Sequence, residues 1–271
     1  MNKLPTPRDI ERWSPRRWDD IAGNHELKAT LQNFIRSGPC NLLVTGPKRT
    51  GKTRTIKHGI KALACPHRTE DLNPCNKCSL CRDVDCPLDG HLGLFVAATQ
   101  SNFAFTQMDC EAVSREVLTT LACKMHWQDE GLIVYLDEIS ALGRRGMDTL
   151  LIKPIDEWPC IWFASAVTVL QPTPSRSRER VGGLSEAVRN RFAVKVGSTV
   201  PSMPELFDWV RVRCAEWQIE IDDEKRTLPE LWERSQFKIG LLKQQFARAA
   251  ATPGRRLTLS EVRAFNYEAL D

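Results

Sequence analysis

Three groups of residues in this sequence have the types and the spacing to do chemistry. The run Gly46-Pro47-Lys48-Arg49-Thr50-Gly51-Lys52-Thr53 fits the pattern G-x-x-x-x-G-K-[ST]. Glycines let such a loop wrap a phosphate with its backbone N–H groups, and a helix starting at its end adds the positive end of a dipole. Lys52 then suits the β and γ oxygens of ATP and the Thr53 hydroxyl suits Mg²⁺, with Arg54 completing the expected nucleotide-binding set. The second group is Asp137 and Glu138, adjacent carboxylates that end the apolar run Leu132-Ile-Val-Tyr-Leu. ATP hydrolysis needs one acid to hold the metal ion and another to orient or deprotonate the attacking water. Asp137 and Glu138 suit those roles in that order.

The third group is a cluster of cysteines. Cys75, Cys78 and Cys81 form two overlapping C-x-x-C units, with Cys65 before them and Cys86 after. A C-x-x-C turn aims two thiolates at one ion, and Zn²⁺ takes four ligands in a tetrahedron, so the expectation is a closed, structural zinc site. Cys65 is the expected fourth ligand, with Cys86, His67 and His91 as alternatives.

These groups need elements to hold them. Residues 41–45 read as a short buried strand that runs into the glycine loop, and residues 53–64 carry Ile56, Ile60 and Leu63 at helical spacing, giving strand, loop and helix. A further helix is expected over 24–37, after an irregular lead-in rich in Arg and Trp. Apolar runs at 94–98, 132–136, 161–164 and 192–196 alternate with stretches that can hold helices, which predicts a five-stranded parallel α/β sheet. From about residue 200 the pattern is wholly helical, with candidates over 205–217, 228–235, 240–251 and 260–269. The expected organisation is therefore an α/β nucleotide-binding domain over 1–199, with a zinc module inserted at 65–86, and a small all-α lid domain over 200–271.

Composition sets the class. With 271 residues, 42% of them hydrophobic, the chain can bury a large core. The lead-in MNKLPTPRDIERW has no apolar segment behind a basic start, and no run approaches the length of a membrane span, so neither secretion nor membrane insertion is expected. Four of the ten cysteines lie between Cys75 and Cys86, crowded as metal ligands in a reducing cytoplasm would be. A net charge of +4 is mild, but basic residues cluster at Arg12, Arg16 and Arg17, between Lys48 and Lys61, at Arg176, Arg178 and Arg180, and at Arg189 and Arg191. The Ser/Arg/Pro-rich stretch 171–183 is the most loop-like part of the chain, and its arginines are candidates for contact with DNA phosphates.

With the motifs placed in this order, the sequence resembles the AAA+ ATPases, and among them the gamma/tau subunit of the bacterial DNA polymerase III clamp loader, over nearly its whole length. The resemblance is carried by Trp18-Asp-Asp-Ile-Ala-Gly23 before the P-loop, by the cysteines just after the P-loop helix, by His91-Leu-Gly-Leu-Phe-Val-Ala-Ala, and by the stretch from Asp137-Glu-Ile-Ser-Ala-Leu to Ile155-Asp-Glu-Trp-Pro159. It implies that Asp20 and Ile21 lie beside the adenine. It also implies that Arg191, in Val188-Arg-Asn-Arg191-Phe, is an arginine finger reaching a neighbouring subunit's ATP, with Arg189 as the alternative. Lys243, in Gly240-Leu-Leu-Lys243, matches the lid's sensor arginine, with Lys238 competing for that role. The family's polar sensor on the fourth strand is Thr or Asn, where this sequence offers Ser165 or an adjacent alanine. Other departures are Asn-Arg-Phe in place of Ser-Arg-Cys at the finger, a longer connection over 171–183, and a sequence that stops at Asp271 where the family continues into a collar domain. The implied activity is Mg²⁺-dependent hydrolysis of ATP held between subunits of a homo- or hetero-oligomer that acts on DNA or a DNA-bound partner. The alternative is an ATP-gated DNA-binding scaffold, such as a transposition regulator or helicase loader, in which hydrolysis serves only disassembly.

Overall fold

The computed structural model describes residues 4–85, 94–97, 104–124, 132–167, 183–235 and 238–265. Helix α1 (Pro7–Arg12) is started by a capping box in which the Thr6 side chain accepts from the Asp9 N–H and the Asp9 carboxylate accepts from the Thr6 N–H. Helix α2 (His25–Ser37) buries Leu27, Leu31 and Phe34 along one face and stops at Gly38. Strand β1 (Leu42–Gly46) leads through the glycine loop into α3 (Lys52–Ala64), and α4 (Ser79–Asp85) follows the cysteines. Then come β2 (Leu94–Ala97), β3 (Ala104–Asp109), α5 (Arg115–Lys124), β4 (Leu132–Asp137), α6 (Ser140–Arg144), α7 (Ile152–Glu157), β5 (Cys160–Val167), α8 (Glu186–Arg189) and β6 (Val194–Gly197).

The sheet runs in the order β2-β3-β4-β5-β1-β6. Five strands, β3, β4, β5, β1 and β6, are parallel, and β2 pairs antiparallel with β3 at the edge. Side chains alternate between two cores. Leu43, Val134, Trp162 and Ala164 face one layer, and Leu42, Val44, Ile133, Tyr135 and Phe163 face the other. Register puts Asp109 beside Asp137 and Gly46 beside Val167, so the carboxyl ends of β1, β3, β4 and β5 share one edge, where ligands of such sheets bind.

The five-stranded parallel sheet is as expected, but its membership is corrected. Residues 94–97 of the apolar run at 94–98 form the antiparallel edge strand, and the fifth parallel strand is β3, which the sequence pattern missed. Its residues Thr106 and Gln107 are polar yet buried, so the run shows neither alternation nor a continuous apolar stretch.

The rest of the chain is α9 (Met203–Trp217), β7 (Glu220–Ile221), α10 (Glu224–Ser235), α11 (Ile239–Ala251), β8 (Arg256–Leu257) and α12 (Leu259–Ala264), with β7 and β8 joined in a two-stranded parallel bridge. Its core is built from Leu206, Trp209, Trp217, Leu242, Phe246 and Leu257. Ile10 of α1 is fully buried in the same core, and α1 packs along α11. The lead-in read as irregular thus supplies a helix to the helical body; six residues with one buried apolar side chain are too few to show a period. Cys86, His91 and the arginines at 176, 178 and 180 lie outside the described residues. Among the described residues no helix is long and apolar enough to cross a membrane.

Candidate functional site

The glycine loop closes over the end of β1. Gly46 has φ 149°, and a Cβ there would meet Ser198 Oγ at 2.0 Å, so a side chain would be strained and would push Ser198 off its bond to Thr50. The Thr50 hydroxyl holds the loop shut by bonding the Pro47 carbonyl at 3.1 Å and Ser198 Oγ at 2.8 Å, and Asn24 Nδ2 donates to the Thr50 carbonyl at 2.9 Å. Lys52 is buried and donates to the carbonyls of Gly46 at 2.9 Å and Pro47 at 2.5 Å. Burial pulls its pKa down, opposed by the carboxylates of Glu138 and Asp137 across the cleft.

The ends of β4 and β5 assemble the acids. Asp137 Oδ1 accepts three hydroxyl bonds, from Thr53 at 3.1 Å, Tyr135 at 2.8 Å and Ser165 at 2.7 Å. Thr53 and Asp137, the expected Mg²⁺ pair, are therefore within direct contact. Ser165 is the polar residue on this strand that faces the site. Besides bonding Asp137, its hydroxyl accepts from the Glu138 N–H at 2.9 Å, and its carbonyl accepts from the Ile139 N–H at 2.8 Å. These two bonds hold Glu138 at φ 55°, a left-handed conformation that costs a non-glycine residue about 1–2 kcal/mol. The Glu138 carboxylate accepts from the Ser140 hydroxyl and lies 3.7 Å from Arg144, which also sits 3.8 Å from Glu111. Tyr135 was not singled out in the sequence. Two residues before Asp137 on a strand, it shares that residue's face, and burial followed by the neighbouring Asp137 charge pushes its pKa well up and keeps it a donor.

A cleft of about 730 Å³ extends from these groups between the sheet and the helical body. Lys48 to Arg54, Asp137 and Glu138 line it, together with Asp20 and Ile21 from the lead-in and Lys243 and Gln244 from α11. Asp20 accepts from the N–H groups of Arg16 and Arg17, each at 2.9 Å, and pairs with Arg213 of α9 at 2.9 Å. Lys243 donates to the carbonyls of Glu11 and Trp13, each at 2.7 Å, and burial, reinforced by the charge of Arg54, lowers its pKa to about 7. Three residues lining the cleft carry buried polar atoms without partners: Trp13 Nε1, Arg49 Nη1 and Gln244 Oε1. Each such atom costs about 1–3 kcal/mol when left unmet. Two donors and one acceptor suit the base and phosphates of a nucleoside triphosphate, which has both kinds of complement. Arg191 lies away from this cleft. Its guanidinium bonds Asp156 Oδ2 through Nε at 2.9 Å and Nη2 at 2.8 Å, and the Ala187 carbonyl through Nη1 at 2.6 Å. Gly46 and Pro47 meet Lys52 through their carbonyls rather than lining the cleft.

The sulfurs of Cys65, Cys75, Cys78 and Cys81 lie within 4.8 Å of one another. Four thiolates around Zn²⁺ at bond lengths of ~2.3 Å stand ~3.8 Å apart, so the cluster fits a closed tetrahedral site. Cys65 and Cys78 are 3.9 Å apart. The backbone N–H groups of Lys77 and Cys78 point at Cys75 Sγ. Burial works to raise that thiol, but these donors and the neighbouring thiols overcome it and bring its pKa down to about 6. Cys65 sits at the C-terminal end of α3 and is the cysteine that completes the set, while His67 is not part of it.

Comparison with known proteins agrees with this architecture. No family model matches the sequence. The tau subunit of DNA polymerase III from Bacillus subtilis is 36% identical over 72 residues, which is 26% of this chain and 13% of that protein. The gamma subunit of DNA polymerase III from Buchnera aphidicola is 28% identical over 173 residues, or 60% of this chain and 42% of that protein. The chain thus spans less than half the length of the curated relatives it matches. Among solved structures, the Holliday junction branch migration motor RuvB of Thermotoga maritima superposes with a TM-score of 0.55 over 94% of this chain and 72% of that one, at 19% identity. Its fold is that of these solved structures, and its site is a P-loop with paired acids at the end of β4. In sequence it is similar to the tau and gamma subunits of DNA polymerase III.

Proposed function

We propose that this chain binds ATP with Mg²⁺ in the cleft between the sheet and the helical body, hydrolyses it at an interface with a neighbouring AAA+ subunit, and uses the assembly on DNA or a DNA-bound partner in the cytoplasm, in a clamp-loader-like role. The observation that carries the reading is the convergence of Thr53, Tyr135 and Ser165 on one oxygen of Asp137, beside Glu138 and at the mouth of the glycine loop. Thr53 and Asp137 would hold Mg²⁺, which when bound supplies charge neutralisation at the β and γ phosphates. Lys52 would exchange the Gly46 and Pro47 carbonyls for phosphate oxygens. Glu138, once free of Ser140, would orient the attacking water. The α/β part over 1–199 would hold the phosphates and metal, and the lid over 200–271 would close on the nucleotide through Lys243, with Arg191 serving a neighbour's site.

Replacing Glu138 by Gln and Lys52 by Ala tests this. Glu138→Gln should bind ATP and not turn it over, because an amide cannot take the proton from water, and Lys52→Ala should lose both binding and turnover. Wild-type turnover in either variant would remove the reading. A second reading, an ATP-gated DNA scaffold with slow hydrolysis, draws support from the hold of Ser140 and Arg144 on Glu138. Turnover that stays slow on DNA while nucleotide drives assembly would select it.

A further inference from the structure

The cysteine cluster lies away from the cleft, yet the loop it closes reaches toward it. Between Cys65 and Cys78 the chain is largely exposed, with Pro74 its one buried residue apart from Cys65. Leu72 and Asn76 both take positive φ, 60° and 57°. With so small an apolar contribution the loop is held by a few internal hydrogen bonds, among them Asn73 N–H to Thr69 Oγ1 at 3.2 Å, and a metal joining the four sulfurs would add the strongest restraint. What the loop presents is a set of hydrogen-bonding groups aimed at the lead-in. The Leu72 carbonyl accepts from Trp18 Nε1 at 2.9 Å, Asn73 Oδ1 accepts from the Trp18 N–H at 2.9 Å, and Asn76 Nδ2 donates to the Arg16 carbonyl at 3.0 Å. Asn76 Oδ1 also accepts from Lys61 of α3 at 3.1 Å, and Lys61 in turn pairs with Asp85 at 2.8 Å.

The segment so gripped forms a wall of the cleft. Trp13, Pro15, Asp20 and Ile21 all line it, and Trp18 stacks edge-on to His58 of α3 at 4.6 Å. The far end of the segment is tied to the helical body. Trp209 Nε1 donates to the Asp20 carbonyl at 2.8 Å, and Lys243 holds the Trp13 carbonyl. One strap therefore runs from the cysteine loop, past the nucleotide cleft, to the lid.

We propose that the cysteine loop is the anchor of this strap, with Asn73 and Asn76 as positioning residues, so that metal occupancy at the four cysteines and nucleotide affinity in the cleft are thermodynamically linked. The proposal rests on the reading of the cleft as a nucleotide site. Metal that fixes Leu72, Asn73 and Asn76 fixes residues 16–18, and a fixed strap spares the nucleotide the entropy of ordering that wall. By reciprocity, bound nucleotide should tighten the hold on zinc by the same factor.

The test is titration calorimetry with ADP on the full chain, paired with zinc quantification. Wild-type protein should contain one zinc per chain. Asn73→Ala/Asn76→Ala should keep that zinc and lose about tenfold in ADP affinity, the scale of one to two net hydrogen bonds. At saturating ATP its turnover should stay at the wild-type level, since no group that meets the reacting phosphate has changed. Stripping zinc should weaken ADP binding by a similar factor in the wild type and add little in the double variant. Trp18→Phe, which removes the bond to Leu72 and trims the ring packed on His58 while leaving the backbone bond to Asn73, is the second variant should the double one fold poorly, and it should lose a smaller factor while retaining zinc. If the wild type binds ADP in a Lys52-dependent way, and the variants and the stripped protein bind it equally well, the anchor is wrong. If the wild type does not bind ADP at all, the nucleotide reading fails first.

Discussion

Ser165→Ala removes one oxygen and tests the logic of the acid cluster more sharply than deleting an acid. The hydroxyl is buried, donates to Asp137 at 2.7 Å and accepts from the Glu138 N–H at 2.9 Å. Losing a hydrogen bond to a charged group costs about 1.5–3 kcal/mol, and a buried N–H left without a partner costs about 1–3 kcal/mol. Asp137 keeps its bonds from Thr53 and Tyr135, so the low end of the first figure applies, and the total is about 3 kcal/mol of folding stability. The kinetic effect should be separate. Glu138 is kept in a left-handed conformation partly by this bond, and a carboxylate that relaxes by ~1 Å loses on the order of 10²-fold in rate. ADP affinity should change little, because Lys52 and the loop are untouched. Urea unfolding followed by tryptophan emission, and phosphate release across an ATP titration, would measure the two effects. Ser165→Thr keeps the hydroxyl and should recover most of both. An alanine variant with wild-type stability and turnover would refute the claim that Ser165 positions the acids.

The remaining predictions concern the interface and pH. Arg191→Ala removes a partly exposed pair with Asp156 and should cost less than about 1 kcal/mol in stability, yet lower ATP turnover in concentrated protein by roughly 10³-fold. Mixing with Lys52→Ala subunits should restore part of it, and undiminished turnover of Arg191→Ala alone would remove the intersubunit role. His58 is buried neutral, with its pKa lowered from 6.5 to about 4, chiefly by burial and then by the charge of Lys61. The unfolded chain takes up a proton near 6.5 and the folded one only near 4, so this contribution is full above pH 6.5 and is lost as pH falls through 4. It amounts to about 3 kcal/mol, the free-energy equivalent of that interval. His58→Asn, which can still donate to the Pro15 carbonyl, should flatten that part of the stability profile, and identical acid unfolding curves for the two proteins would show that His58 is not the titrating group.

What could be read from the sequence was what short spacing encodes. The glycine loop, the paired acids and the C-x-x-C turns each bring their chemistry together within a few residues, and the helices 25–37 and 239–251 declare themselves by period. What escaped needed the sheet order. The sequence offers Ser165 or an adjacent alanine and nothing local chooses between them; β5 lying between β4 and β1 is what brings the hydroxyl to Asp137. Tyr135 sat in plain view inside an apolar run, where the natural reading is core packing, and only its reach to Asp137 shows otherwise. Strand β3 was hidden by buried Thr106 and Gln107, and α1 by its brevity. Trp13 and Gln244 come together at one cleft although most of the chain separates them, so no linear pattern could pair them.

The seat of Ile10 has a consequence for how the molecule is made. Its side chain is fully buried among Leu206, Trp209, Leu242 and Phe246, residues near the opposite end of the chain. During synthesis α1 leaves the ribosome before the sheet, but its socket does not exist until α11 has followed. The sheet can collapse in the meantime around contacts nearer in sequence, whereas the helical body must close a loop that encloses the whole sheet. Ile10, made before any strand of the sheet, is thus covered only after all of them. A product cut off before α11 keeps its glycine loop but leaves Ile10 without its socket.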